Sequence, residues 1–87
     1  MRSFKFTIEG KVQGVYYRKT ICENAIKQSF SGYVKNLANG NVEACTTTNK
    51  IEEFIAILKK GSRSSIVKNI IQSDCNEVFE GKFIVKK

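Results

Sequence analysis

The chain has 87 residues, of which 41% are hydrophobic and 26% charged, a size and composition that predict one compact domain spanning residues 1–87. Its formal net charge is +7, it contains no histidine, and none of its apolar runs approaches the ~20 residues that cross a bilayer. This composition excludes a disordered chain and a membrane-spanning helix, and it leaves only cysteines and carboxylates as metal ligands, none of them at metal-binding spacing.

The first part of the chain predicts a strand followed by a helix. Phe4, Phe6 and Ile8 alternate with polar residues, which is the period of a half-buried strand. After a glycine-containing loop, apolar residues recur at helical spacing from about Tyr17 to Phe30. Gly32 is predicted to end this helix and to begin the next segment.

The middle of the chain predicts a hairpin and a second helix. Asn39-Gly40 is a strong hairpin signal between strands at 33–37 and 41–47, because both residues tolerate a positive φ. Asn49 is predicted to cap a helix near Lys50–Lys60, whose first turn carries two glutamates.

Two further strands are predicted near the C-terminus. Ile66–Ser73 is one of them, and Phe79–Lys86 is either a last strand or the second arm of a loose hairpin. The resulting order, βαββαβ with a short extra strand, usually forms one antiparallel sheet with both helices on one face. We therefore predict an α+β, ferredoxin-like sandwich with a short fifth strand.

The loop between the first strand and the first helix has the features of an anion site. Gly10 and Gly14 allow tight turns, and consecutive amide N–H groups from Gln13 to Arg18 can surround an anion at a helix N-terminus. The planar guanidinium of Arg18 can bind two phosphate oxygens at once, in a chain that otherwise favours lysine. A flexible connection without a ligand is the alternative interpretation.

Asn36 is the second candidate functional residue, because asparagine is unfavourable within a strand. Its amide can hold a water molecule by donating and accepting hydrogen bonds at once. A strand-end asparagine that satisfies the local backbone is the alternative.

Together these segments resemble the two signature motifs of the acylphosphatase family. IEGKVQGVYYR at residues 8–18 matches the first motif throughout, and GYVKN at residues 32–36, followed by Asn39-Gly40 and Val42, matches the second. FEGKFI at residues 79–84 is similar to the closing segment of the family, so the resemblance spans essentially the whole chain. It implies metal-independent hydrolysis of the carboxyl–phosphate bond of small acyl phosphates on a ferredoxin-like fold, without a cofactor.

The resemblance also implies roles for particular residues. Arg18 matches the arginine that binds the substrate phosphate, and Asn36 matches the asparagine that positions the attacking water. The phosphate-binding cradle matches Gln13, Gly14, Val15, Tyr16, Tyr17 and Arg18.

Two departures from the family pattern lie outside both motifs. Thr48 stands where the family often has glycine, and Gly61-Ser62-Arg63-Ser64-Ser65 replaces a proline-containing turn. Because they lie outside the motifs, we expect them to bear on loop geometry and stability more than on catalysis.

The sequence also bears on three alternative functions. The lysines are scattered, and the third predicted strand has no aromatic residue on which RNA bases could stack, so a nucleic-acid-binding module is disfavoured. A non-catalytic anion sensor would not need Asn36. A unit resembling those attached to larger maturation enzymes is a third alternative, although the short chain predicts a free-standing monomer.

The cysteines and the N-terminal segment indicate the cell compartment in which the protein is expected. The chain has an odd number of widely spaced cysteines, Cys22, Cys45 and Cys75. We therefore expect each cysteine to be reduced and to act as a small hydrophobic residue in or near the core. The N-terminal segment alternates and lacks the apolar stretch of a signal peptide. A cytoplasmic enzyme, with a small acyl phosphate as its partner and neither nucleic acid nor membrane, is the expectation.

Overall fold

A computed structural model describes all residues from Met1 to Lys87. The chain forms five strands and two helices, in the order β1 (Arg2–Lys11), α1 (Tyr17–Lys27), β2 (Ser31–Asn36), β3 (Val42–Thr48), α2 (Ile51–Lys60), β4 (Ile66–Asp74) and β5 (Ile84–Lys86). No helix has the length and apolar character that a membrane crossing requires.

The strands form one sheet in the order β4-β1-β3-β2-β5. The four longer strands pair antiparallel, as the ferredoxin-like prediction requires, and the short β5 adds to the edge of β2 in a parallel register. Strand β3 therefore lies between β1 and β2, which run parallel to each other and end at the same edge of the sheet.

The core lies between the sheet and both helices. Because side chains alternate along β1, Phe4, Phe6 and Ile8 all face the helices and are buried. The ring of Phe54 on α2 is central: its centroid lies 5.5 Å from that of Phe6 and 5.2 Å from that of Phe30. Burial of these apolar side chains is the main term that stabilises the fold.

The other face of the sheet carries a polar cluster around Glu43. Tyr33 donates a hydrogen bond to Glu43 Oε2 at 2.7 Å, and Lys35 Nζ lies 3.7 Å from the same oxygen. Cys45 donates to Tyr33 Oη at 3.1 Å, and burial raises the pKa of this thiol to about 11. All three cysteines are free, but Cys45 is buried on this face and not in the main core.

The observed ends of the helices correct two predictions. Helix α1 ends at Lys27, because Ser29 adopts a left-handed conformation with φ 63°, and Phe30 follows the helix. Gly32 does not end the helix but lies within β2, where a Cβ would collide with the carbonyl oxygen of Cys45. The C-terminal strand is also shorter than the predicted Phe79–Lys86.

The start of α2 differs from the prediction as well. Its N-cap residue is Lys50, with no side-chain cap, so Asn49 does not cap the helix as predicted. Instead, the hydroxyl of Thr48 accepts a hydrogen bond from the N–H of Lys50 at 2.9 Å. The threonine that departs from the family pattern thus organises the turn into α2.

Candidate active site

The predicted site residues meet at the edge of the sheet where β1 and β2 end and α1 begins. Asn36 is the last residue of β2 and pairs with Val42, which in turn pairs with Ile8. Because paired residues share a face, the side chain of Asn36 points towards the helices, as Ile8 does. The loop before α1 connects to the same edge, directly after Lys11.

The backbone of this loop alternates between left-handed and right-handed conformations. Gly14 has φ 73° and Tyr16 has φ 61°, whereas Val15 between them and Tyr17 after them do not have positive φ values. Alternation of left- and right-handed conformations turns successive N–H groups to one side and forms a concave anion nest. For Tyr16, which is not a glycine, this conformation costs roughly 1–2 kcal/mol.

No packing explains the strained conformation of Tyr16. Its side chain is 78% exposed, so burial of the ring gives no compensation. Backbone strain of this kind occurs preferentially at binding and catalytic sites.

The amides of the loop are free to bind a ligand. The backbone N–H groups from Gly14 to Arg18 donate to no acceptor within the chain, and the first internal bond of the helix runs from Thr20 N–H to Tyr16 O at 3.0 Å. Unpaired N–H groups at a helix start carry partial positive charge. The loop therefore offers an array of donors to an anion.

Hydrogen bonds to other parts of the fold hold this loop in place. Gln13 Nε2 donates to Leu37 O and to Asn41 O, both at 2.8 Å, which joins the loop to the turn that follows Asn36. On the other side, Ser62 Oγ donates to Val15 O at 2.6 Å. Since a trans peptide directs its C=O and N–H oppositely, this bond turns the N–H of Tyr16 away from Ser62.

Tyr17 anchors the start of α1 in the core. Its ring is buried and its hydroxyl donates to Leu58 O on α2 at 2.8 Å. Burial raises the pKa of this hydroxyl well above its ordinary value, so it stays protonated and takes no part in acid–base chemistry near neutral pH.

The guanidinium of Arg18 has no partner in the chain. Its side chain is half-buried, yet it makes neither an ion pair nor a hydrogen bond, whereas Arg2 pairs with Asp74 at 3.1 Å. Arg18 lines a groove of about 450 Å³ together with Gly14, Tyr16 and Tyr17. A half-buried, unpaired arginine beside free amides is suited to bind a phosphate group bidentately.

Asn36 also has an unsatisfied group. Its Oδ1 atom is buried without a hydrogen-bond partner, and it is the one buried side-chain polar atom of which this is true. Buried acceptors are almost always paired in folded proteins, so an orphan one calls for a functional explanation. A water molecule that serves as a reactant is such an explanation.

The structure thus assembles most of the predicted site, with differences. Gly14, Tyr16, Tyr17 and Arg18 line the groove, whereas Gln13, Val15 and Asn36 do not. The amide side chain of Gln13 binds backbone carbonyls, so Gln13 positions the loop in addition to belonging to it.

Sequence reasoning missed two contributors to the site. Ser62 contacts the loop from a turn 47 residues away, and Val85 lines the groove from β5. The sequence marks Ser62 only as part of a turn that departs from the family pattern, and it does not mark Val85, because only tertiary packing brings either residue to the site. No group of three or more Cys, Asp or Glu side chains is arranged to hold a metal ion.

A βαββαβ sheet with helices on one face and an amide nest at the start of α1 defines a ferredoxin-like protein with an anion site. The family model described as acylphosphatase matches residues 4–85 of this chain. The curated acylphosphatase of Vibrio cholerae is 35% identical over 81 residues, which cover 88% of this chain and 89% of the relative. That of Colwellia psychrerythraea is 42% identical over 65 residues, or 72% and 73% of the two chains.

Solved structures agree with these relatives. The crystal structure of acylphosphatase from Bacillus subtilis superposes with a TM-score of 0.89 at 28% identity and covers both chains completely. Full-length HypF, solved in a phosphate- and nucleotide-bound form, matches with a TM-score of 0.76 at 26% identity, but this chain covers only 12% of it. The chain belongs to the acylphosphatase family, whose enzymes act on small acyl phosphates.

Proposed function

We propose that this enzyme hydrolyses the carboxyl–phosphate anhydride of small acyl phosphates to a carboxylate and inorganic phosphate by a mechanism that needs no metal. Arg18 and the amides of residues 13–18 hold the phosphate, and Asn36 positions the attacking water. The observation that carries this proposal is the set of unpaired N–H groups from Gly14 to Arg18 next to the unpaired Arg18 guanidinium.

The charge distribution of the site fits phosphoryl transfer. The transition state is loose, with negative charge spread over three equatorial oxygens, so catalysis depends on positioning and electrostatic stabilisation. The amide nest, the positive end of α1 and the guanidinium of Arg18 provide fixed donors for these oxygens. Since Gln13 and Ser62 hold the loop, the donors need little reorganisation during the reaction.

The leaving group explains why no general acid is required. A carboxylate leaves readily, because the pKa of its conjugate acid is about 4. The acidic residue nearest to the loop in sequence is Glu9, which accepts a hydrogen bond from Asn69 at 3.1 Å on the other face of the sheet. The carboxylate that lines the groove, Glu23, is exposed on α1 more than one helical turn beyond Arg18. We therefore expect poor turnover of alkyl phosphate esters, whose alkoxide leaving groups need a proton.

Asn36 completes the mechanism as the residue that binds water. Its Oδ1 accepts a hydrogen bond from water and places it in line with the bond that breaks. The water oxygen bonds to phosphorus, the electron pair of the P–O bond leaves with the carboxylate, and the proton of water passes to a phosphate oxygen of the substrate. Loss of Asn36 should therefore lower kcat more than it changes KM.

The open face of the sheet gives no support to RNA binding. Phe4 and Phe6 are buried in the core, as predicted, and β3 carries no aromatic residue. The ring of Tyr33 on β2 is covered by Phe79, at a centroid distance of 5.6 Å.

We propose that residues 1–87 act as one monomeric domain in the cytoplasm, which sedimentation and fractionation would test.

Hydrolysis of benzoyl phosphate in the presence of EDTA tests the function and both roles. Arg18→Lys should lower kcat/KM by about a hundredfold or more, because a point charge replaces a bidentate fork. Asn36→Ala should lower kcat with little change in KM. The exposed Arg63 provides the matched control, and Arg63→Lys should behave as the wild type.

The outcomes separate the candidate functions. Turnover by the wild type with EDTA, lost in both site variants while they remain folded, supports the whole proposal. A folded wild type that binds phosphate but turns over no acyl phosphate would instead indicate an anion sensor.

A further inference from the structure

The groove that contains Arg18 extends beyond the phosphate cradle. From Arg18 it follows α1 for one helical turn to Cys22, and its far wall is formed by Val85 of β5. Val85 pairs with Val34 of β2, and Val34 shares a face with Asn36 two positions further along that strand. The groove therefore runs from the candidate phosphate site between α1 and β5, on the face of the sheet towards which Asn36 points.

The interior of this extension is apolar and without net charge. Val85 is 42% exposed, and Cys22 is half-buried with its thiol directed at Phe83 O, 3.5 Å away. Burial raises the pKa of the Cys22 thiol, which keeps it neutral near neutral pH. The charged lining residues besides Arg18 are Lys19 and Glu23, which are exposed and of opposite sign.

We propose that this extension binds the acyl group of the substrate and that the enzyme prefers acyl phosphates with neutral, apolar chains longer than acetyl. The inference rests on the proposed function, because the cradle must hold the phosphate. Continuity decides the occupant: Gly14, Tyr16, Tyr17 and Arg18 line both the cradle and the groove. The whole groove, with its phosphate portion included, has a volume of about 450 Å³, which exceeds what acetyl phosphate fills.

Val85 is the specificity-determining residue in this arrangement. It stands on a short edge strand, where a substitution disturbs little of the core, and its neighbour Ile84 points to the opposite face of the sheet. Ile84 is 50% exposed, close to the exposure of Val85, and does not line the groove. The chain thus contains a matched control one residue away.

The test compares kcat/KM for acetyl phosphate and butyryl phosphate. Each buried methylene group contributes up to about fourfold in binding, so two of them should favour butyryl phosphate by about fivefold to fifteenfold. Val85→Asn introduces a polar side chain without a charge that would repel every substrate, and it should reduce this preference to about twofold or less. Ile84→Asn should retain the wild-type preference.

Each outcome is decisive. Equal or better turnover of acetyl phosphate by the wild type, or an unchanged preference in folded Val85→Asn, overturns the inference and leaves the proposed function intact. Failure of the wild type to hydrolyse either substrate overturns both. If Val85→Asn does not fold, Val85→Thr keeps the branched shape and should still lower the preference.

Discussion

Replacement of Asn36 by leucine should make the protein more stable and almost inactive. The Oδ1 atom of Asn36 is buried without a partner, and its neighbours across the sheet on the same face are Val42 and Ile8. An apolar side chain of similar size removes the unpaired acceptor and packs against these residues. Leucine is also better suited than asparagine to a strand.

The magnitude follows from the cost of an unpaired acceptor. A buried polar group without a hydrogen bond costs about 1–3 kcal/mol, and a bound water recovers part of this. We expect Asn36→Leu to raise the free energy of unfolding by about 1 kcal/mol. In a domain of 60–100 residues this corresponds to a rise in Tm of about 4–8 °C.

Gln13→Met provides a comparison with the opposite sign. It also replaces an amide by an apolar side chain of similar shape, but the amide of Gln13 donates two hydrogen bonds of 2.8 Å. The acceptors keep other partners, since Gly40 N–H donates to Leu37 O and Leu37 N–H to Asn41 O. We therefore expect a loss of about 1–2 kcal/mol and no orphan acceptor.

Urea unfolding, thermal melting and kcat for acetyl phosphate should be measured on the wild type and both variants. The expected result for Asn36→Leu is higher stability with a kcat at least about a hundredfold lower, on the scale of a lost catalytic hydrogen bond. A destabilised Asn36→Leu would mean that the amide is satisfied in solution. A stabilised variant with normal kcat would refute its role in placing water.

Two further predictions concern Ser62 and Cys45. Ser62→Ala removes the hydrogen bond that orients the Val15–Tyr16 peptide, and loss of a bond worth about 1 kcal/mol should raise KM about threefold to tenfold. Ser64 is exposed, so Ser64→Ala should leave KM unchanged. Equal KM values for the two variants in steady-state kinetics would contradict the role assigned to Ser62. Burial raises the pKa of Cys45 from about 9 to about 11. Between these pH values the unfolded chain loses the thiol proton while the folded chain keeps it, so the free energy of unfolding should decline as the pH rises. Urea unfolding between pH 9 and pH 11 should show that the free energy of unfolding falls less steeply with pH in Cys45→Ala than in the wild type. Parallel curves for the two proteins would exclude Cys45 as the source of the pH dependence.

Much of the fold could be predicted from local sequence pattern. Alternation of Phe4, Phe6 and Ile8 predicted β1 and its buried face, and Asn39-Gly40 predicted the turn between β2 and β3. Such features depend on backbone preferences and on the period of apolar residues, which act over a few neighbouring positions. The ends of elements were less predictable, as Gly32 shows, because a close contact with Cys45 on another strand determines its role.

The features of the candidate site likewise fall into those that the sequence indicates and those that depend on tertiary structure. The sequence by itself identified the glycine loop, Arg18 and Asn36 as candidates, and the resemblance of their two motifs to the acylphosphatase signatures implied their roles. Only the tertiary structure decided that Gln13 and Ser62 hold the loop, that the acceptor of Asn36 is unpaired, and that Val85 forms a wall of the groove. These properties depend on which distant atoms lie within hydrogen-bond or van der Waals distance, and packing of the helices on the sheet sets those distances.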